Sequence, residues 1–424
     1  MESGYNYINK NTFTNNPGNP VNVIVVIPCF NEYRAVKRLL QSLMRQNKEL
    51  LQKTMFVFVI NNTMADSETV RNINAQTVEF FKEQLAESFP LWVTVIDQAT
   101  KGNMFPDKTG GVGLARKIGM DESLKWFHSR DFRALVSLDA DCQLGDDYLE
   151  TIHTFFKDKK NQAAVLPYEH PLNVEGVMAD AIVNYELYLR YYTLSLHYAN
   201  SHYAFHTIGS TMAVTPDTYK KSGGMNKRKA AEDFYFLEKV RKIVPIASLK
   251  TGMVYPSPRI SQRVPFGTGQ RVKRYVEGEF EDENLLYNPK NFDVLKQWNA
   301  VFAEHQTQSG EMLLDKARQI SPELSKYLFY NYFVPNWNNV ISNSKDEKYL
   351  LSQRIMWMDA FRTMKLVHFL RDNLNPNIYM FDAIDELMAK FELPKIERGE
   401  GTPPYEKQVE YLTALRKAQI DLLQ

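Results

Sequence analysis

Short apolar runs alternate with longer amphipathic ones from residue 21 onward. Residues 21–27 (VNVIVVI) are almost entirely apolar, a pattern that suits a strand covered on both faces of a parallel sheet. Residues 33–46 follow, with Val36, Leu39, Leu40 and Leu43 at helical spacing. The rhythm continues with strands expected at 55–60, 92–97, 134–138 and 163–167, and helices at 69–88 and 113–129. Strands alternating with helices of this length predict an α/β domain built from βαβ units. Ligands in such sheets bind beyond the carboxyl ends of the strands.

Residues 177–203 are dense in Tyr and Leu. The plain reading is a core-packing helix; the sharper one lines an acceptor pocket with some tyrosines and with His197, His202 or His206. A strand is expected at 209–215, a short helix at 232–242, and a Pro-, Gly- and Arg-rich loop at 255–271. Beyond 272 the βα rhythm stops. Leu351, Ile355, Met358, Phe361, Met364 and Val367 recur at spacings of three and four, so one helical face is expected there, with further helices at 378–390 and 406–423. The chain therefore divides into a disordered lead-in (1–20), an α/β domain (21–271) and a mainly helical extension (272–424).

Charge adds an exclusion. Fifty-one Lys and Arg stand against 50 Asp and Glu, a balance without the basic stripe of a nucleic-acid binder. The two cysteines, Cys29 and Cys142, each close a predicted buried strand, so neither a disulfide scaffold nor a cysteine zinc site is expected. Residues 1–20 lack the basic and apolar regions of a signal peptide, and no apolar run is long enough to cross a bilayer. The expected location is the cytoplasm, with peripheral contact at the inner face of the membrane left open.

The sharpest candidate chemistry is Asp139-Ala140-Asp141, at the end of the fourth strand. Two carboxylates separated by one residue can meet one hard cation such as Mg²⁺ or Mn²⁺, directly or through water, and that cation can neutralise a departing diphosphate. Solvated turn residues are the plainer reading. Glu232 and Asp233 begin a helix after Gly223-Gly224; they suit either dipole capping or a general base acting on an acceptor hydroxyl. Pro28, Asn31 and Glu32 follow the first strand, and Asn61, Asn62 and Asp66 the second, where they can bind a base or ribose or simply cap turns. Lys108, Arg116, Arg259, Arg263 and Arg271 are candidate donors to a diphosphate. Gly110-Gly111-Val112-Gly113 precedes a helix but has neither Walker A spacing nor a preceding strand.

Four of these blocks, in this order, resemble the family 2 glycosyltransferases, inverting enzymes of GT-A fold. They are VIVVIPCFNE (23–32), Gly113-Leu114-Ala115-Arg116, Leu138–Asp141, and Gly224 followed by Glu232-Asp233. The resemblance covers about residues 21–270. It implies transfer of a sugar from a nucleoside-diphosphate sugar to a saccharide or lipid-linked saccharide acceptor, with a divalent cation as cofactor. It places Asn31, Glu32 and the 61–66 loop on the nucleotide, Asp139 near ribose and metal, and Asp141 as the more direct metal ligand. Asp233 becomes the catalytic base, and the 259–271 loop closes over the diphosphate with Arg263 or a neighbour stabilising the leaving group.

Two departures stand out. Residues 60–67 read INNTMADS where the family has a more acidic element, and the block KGNMFPDKT (101–109) widens the region before the Gly-rich turn. Both bear on the donor pocket and leave the metal and base candidates in place. A nucleotidyltransferase would carry a Gly-rich basic loop after the first strand, where this chain has Pro-Cys-Phe-Asn-Glu. The other alternative is a non-catalytic nucleotide-sugar-binding homologue that acts through a partner.

Overall fold

The computed structural model describes residues 11–16, 18–129, 131–259 and 284–423. These form two compact units, one drawn from Met1–Val174 and Thr207–Gln270, the other from Glu175–His206 and Arg271–Leu423.

The first unit is a three-layer α/β structure around an eight-stranded sheet of order β1-β4-β3-β2-β5-β8-β7-β9. Its centre is β2 (Val23–Cys29), β3 (Thr54–Asn61) and β4 (Trp92–Gln98), flanked by β5 (Ala134–Ser137). All four run parallel, with Val23 opposite Thr54 on one side and Ala134 on the other. Every residue of β2 and β3 is buried, as continuous apolar strands covered on both faces should be. Pro28 lies beyond Val26, the last residue of β2 paired with β5, so its missing N–H interrupts no bond to that neighbour. β8 (Met212–Val214) then enters antiparallel between β5 and β7 (Ala163–Val165), and β9 (Ala247–Ser248) pairs parallel to β7.

The expected lead-in is partly structured. Thr12–Thr14 forms β1, an antiparallel edge strand on β4 with Phe13 opposite Val95. Two threonines around a phenylalanine fit an edge with one packed face, a signal too short to stand out against the polar residues beside it.

Helices α1 (Tyr33–Met44), α3 (Glu68–Ala86) and α4 (Val112–Ser123) are the crossovers, and the unit also holds α2 (Lys48–Leu51), α5 (Tyr148–Lys157) and α7 (Pro216–Lys221). Helix α1 buries Val36, Leu39, Leu40 and Leu43, the stripe read from its spacing. Ser67 caps α3 by accepting a bond from the Val70 N–H. Helix α4 lies very close to the sheet at Gly119, where a β-carbon would fall 2.3 Å from Val26 Cγ1. The strand order reverses at β2: the chain steps to β3 on one side and later returns to β5 on the other. In open α/β sheets ligands bind in the crevice at such a switch point, which here lies beyond the carboxyl ends of β2 and β5.

The second unit is mainly helical. It contains α6 (Val177–Tyr198) and the helices Pro289–Glu304, Gly310–Ile320, Pro322–Tyr330, Phe333–Ser342, Glu347–Trp357, Ala360–Asn373, Met380–Lys390 and Tyr405–Leu422, with a short ladder between Leu285–Leu286 and Ile378–Tyr379. Its core is aromatic: Trp298 stacks on Phe302 at 5.0 Å between ring centres, and Phe302 meets Trp337 at 4.6 Å. Tyr185 and Tyr191 of α6 are buried, which agrees with the core-packing reading of the aromatic stretch. The buried Glu186 carboxylate joins Arg190 at 2.6 Å and Arg416 at 2.8 Å, tying α6 to the last helix.

The single face expected over 351–367 is two helices. The first ends at Trp357, and Asp359 caps the second by accepting from the Arg362 N–H at 2.8 Å. Leu351 is exposed in consequence, while Met358 and Val367 remain buried. Spacing alone missed the break because the aspartate falls in a polar position of the repeat.

Candidate functional site

The crevice at the switch point gathers three acidic residues from two segments. Glu32 follows β2 and precedes α1. Asp139 and Asp141 follow β5. The Cys29 thiol reports the convergence of all three: burial raises its pKa well above the usual thiol range, and the charges of Glu32, Asp139 and Asp141 raise it further. Cys142 is likewise buried and free, its pKa raised by burial and then by Asp141 and Asp139. Neither thiol is poised for nucleophilic chemistry.

Two arginines answer this charge. Arg116, on α4, is 3% exposed and bonds both Asp139 and Glu232. It lies against Gly209, where a β-carbon would sit 2.4 Å from its Nη2. Glycine at 209 is therefore what leaves room for the guanidinium. Both acidic partners raise the pKa of Arg116 against the opposing effect of burial. Arg259 bonds Glu32 and, at 2.8 Å, Asp141 Oδ2. Its reach is set by a two-residue ladder: β6 (Gln143–Leu144), just after Asp141, pairs antiparallel with β10 (Val254–Tyr255), just before Arg259.

Glu232 and Asp233 open α8 (Glu232–Arg241). Ala231, the residue before them, has φ +56°, a left-handed conformation that a non-glycine residue adopts only at a cost. The turn is held by Asn226, whose Nδ2 donates to the Glu232 carbonyl at 2.9 Å. Asp233 is partly buried, and its pKa is raised to about 7, first by loss of solvent and then by the charge of Glu232, with Arg116 opposing. A carboxylate that titrates near neutrality beside a charged crevice is a good general base.

The loops expected to contact a nucleotide are stapled to one another. Asn31, at φ +60°, donates its backbone N–H to Asn74 Oδ1 at 2.8 Å. Asn74 in turn donates to the Asn61 carbonyl and to Asn62 Oδ1, each at 3.0 Å. The buried Asn61 amide donates to the carbonyls of Cys29 and Val59. Its side-chain nitrogen thus helps join β2 to β3. Asp66 folds its own loop, accepting from Thr63 N at 2.7 Å and Thr63 Oγ1 at 2.9 Å. Lys108 is exposed on the 101–109 block. Arg263 lies outside the described residues.

Two features escaped the sequence reading. Asn74 occupies the inner face of α3 with Val78 and Phe81, a polar residue in an apolar register. That mismatch was its only signal. The 60–67 and 101–109 segments, read as separate departures, also form one structure. Phe105 is buried and donates its N–H to the Asn62 carbonyl at 2.9 Å, and Ala65 N–H donates to Asp107 Oδ1 at 3.0 Å.

Among the described residues no group of three His, Cys, Asp or Glu side chains converges as a metal cage. Asp139 and Asp141 present carboxylate oxygens alone. That donor set suits a hard cation that keeps waters and completes its sphere with phosphate oxygens, so the residues fit Mg²⁺ or Mn²⁺ and not a closed zinc site.

No family model matches the sequence, and no curated protein matches it either. Among solved structures, the chain is similar to residues 1–349 of TarS from S. aureus in complex with UDP-GlcNAc. Identity is 15% over 80% of this chain and 92% of that one, with a TM-score of 0.40. A mannosyltransferase from Pyrobaculum calidifontis in complex with GDP-Man and Mn²⁺ is 14% identical over 94% of this chain and 87% of that one, at a TM-score of 0.37. GalNAc-T7 with UDP, GalNAc and Mn²⁺ is 12% identical over 67% and 51%, at 0.35. No helix among the described residues is long and apolar enough to cross a membrane.

Proposed function

We propose that the first unit is an inverting glycosyltransferase of the family 2 type, using a nucleoside-diphosphate sugar as donor and a saccharide or lipid-linked saccharide as acceptor. One observation carries the reading. Arg116 bonds Asp139 at the strand end and Glu232 at the start of α8, which fixes Asp233 beside the carboxylates of the switch point. The base candidate and the diphosphate site thus belong to one connected structure.

Asp139 and Asp141 would hold the divalent cation, which when bound supplies positive charge to the donor's phosphate oxygens. The loops after β2 and β3 form the nucleotide wall, rigid because Asn74 bonds both. Asp233, ionised above about pH 7, accepts the proton of an acceptor hydroxyl as that oxygen attacks the anomeric carbon. The bond from that carbon to the diphosphate oxygen breaks in the same displacement, so configuration inverts and no glycosyl-enzyme forms. Arg259 and Arg263 provide cationic partners for the departing diphosphate.

The test is turnover. Incubation with a panel of UDP- and GDP-sugars and simple glycoside acceptors should release nucleoside diphosphate and yield a product of inverted anomeric configuration by NMR. Asp233→Asn should slow release by orders of magnitude while donor binding persists. Retention of configuration, or full activity of Asp233→Asn, would sink the mechanism. Donor binding without release from any acceptor or water would favour the non-catalytic alternative.

A further inference from the structure

Arg259 sits on the carboxylate that the proposed reading gives to the cation. Its guanidinium bonds Asp141 Oδ2 at 2.8 Å and also reaches Glu32. The Glu32 side chain is 4% exposed and that of Asp141 23%, against 37% for Arg259. The arginine is therefore the more exposed partner of two more buried acids. The β6–β10 ladder pairs the segment just after Asp141 with the segment just before Arg259. Arg116 is different: it is almost wholly buried and held between Asp139 and Glu232, and so is poorly placed to move.

We propose that Arg259 is the resident counter-ion of the metal site, giving up Asp141 to the divalent cation and passing its own charge to the donor's diphosphate. This inference rests on the proposed reading of the site and adds an exchange that the reading does not require. The physical reason is competition. Asp139 already pairs with Arg116, whereas Glu32 and Asp141 share Arg259, and like charges held close repel more strongly once that partner leaves. Without donor, Arg259 pairs with Asp141 and Glu32. A cation arriving alone must displace that arginine into solvent, so it binds weakly. When the diphosphate arrives with the cation, the displaced guanidinium finds two-pronged phosphate partners instead of water. Cation and nucleotide then bind cooperatively, each strengthening the other by the same factor. Glu32 keeps the arginine near the crevice throughout.

The experiment measures Mn²⁺ binding to the full chain by the loss of the free-ion EPR signal, alone and with saturating UDP or GDP. Native protein, Arg259→Gln, Arg259→Lys and Asp141→Asn are compared, with thermal melts showing that each is folded. The expected result is that Arg259→Gln binds Mn²⁺ alone on the order of tenfold more tightly than the native chain and loses most of the enhancement by nucleotide. Arg259→Lys should keep the weak binding of Mn²⁺ alone, because the charge remains. Asp141→Asn should abolish the tight site. Native or weaker Mn²⁺ affinity in Arg259→Gln, still dependent on Asp141, overturns the exchange and leaves the metal reading standing. Absence of Asp141-dependent Mn²⁺ binding in any variant, with or without nucleotide, overturns both.

Discussion

Replacing Glu232 by glutamine removes the negative charge next to Asp233 while keeping the size of the side chain. The pKa of Asp233 is raised from 3.8 to about 7, with loss of solvent the largest cause and Glu232 the second. Two carboxylates roughly 7 Å apart at an effective dielectric of about 20 repel by about 2 kcal/mol, or roughly 1.5 pH units. Arg116 acts in the same direction. Relieved of Glu232, its charge is less neutralised and favours ionised Asp233 more strongly. The base must be deprotonated to act, so the acid limb of kcat/KM against pH should midpoint near 7 in the native chain. In Glu232→Gln it should move down by about one unit, since solvent entering the loosened site weakens the full effect. The assay is initial-rate release of nucleoside diphosphate between pH 4.5 and 9 at subsaturating donor. An acid limb that stays in place, or moves up, would refute the assignment of Asp233 as the titrating base.

Other consequences follow from the same contacts. Asp233→Asn should lower turnover by about 10² to 10⁴-fold. It should also stabilise the fold at pH 8 by on the order of 1–2 kcal/mol, because an acid with a raised pKa destabilises the folded state once ionised; that gain should fade as pH drops from about 7 toward 3.8, as chemical denaturation would show. Gly209→Ala should displace Arg116 and cost about 1–3 kcal/mol in stability together with most activity, read by thermal melt and rate; a native-like variant would show that the close contact is not needed. Asn74→Leu leaves the Asn31 N–H and the Asn61 carbonyl without their partner, so a loss of about 2–4 kcal/mol and weaker nucleotide binding are expected by calorimetry. Burial lowers the pKa of His153 from 6.5 to about 4, so the unfolded chain binds its proton first. Stability should therefore fall as pH drops from about 6.5 to 4, by up to about 3 kcal/mol, a slope that His153→Gln should flatten in urea titrations.

Much of this arrangement was legible in the order of residues. The apolar runs expected as strands at 21–27 and 55–60 are strands buried along their length, whereas the reversal of strand order at β2 is visible only in the fold. The acidic triplet after β5 and the Glu-Asp pair opening α8 were visible as chemistry placed at element ends. What could not be read was partnership across long separations. Arg259 and Glu32 lie 227 positions apart, and Arg116 and Glu232 lie 116 apart; nothing local marks either pair. The backbone bonds of the Asn61 amide could not be foreseen, because a polar residue at a strand end serves the backbone as readily as a ligand. The break at Asp359 and the edge strand at Thr12–Thr14 are decided by tertiary packing that a periodicity of a few residues does not report.

The proposed function stands or falls with Asp139 and Asp141 as a cation-assisted nucleoside-diphosphate site at the switch point. It is tested most directly by calorimetric titration with UDP and with GDP, each in the presence and absence of Mn²⁺. The account predicts that one of the two binds only with the cation, and that Asp141→Ala abolishes this binding while the melting profile stays close to native. Metal-independent binding that survives Asp141→Ala, or no binding of either nucleotide to a folded native chain, would contradict it.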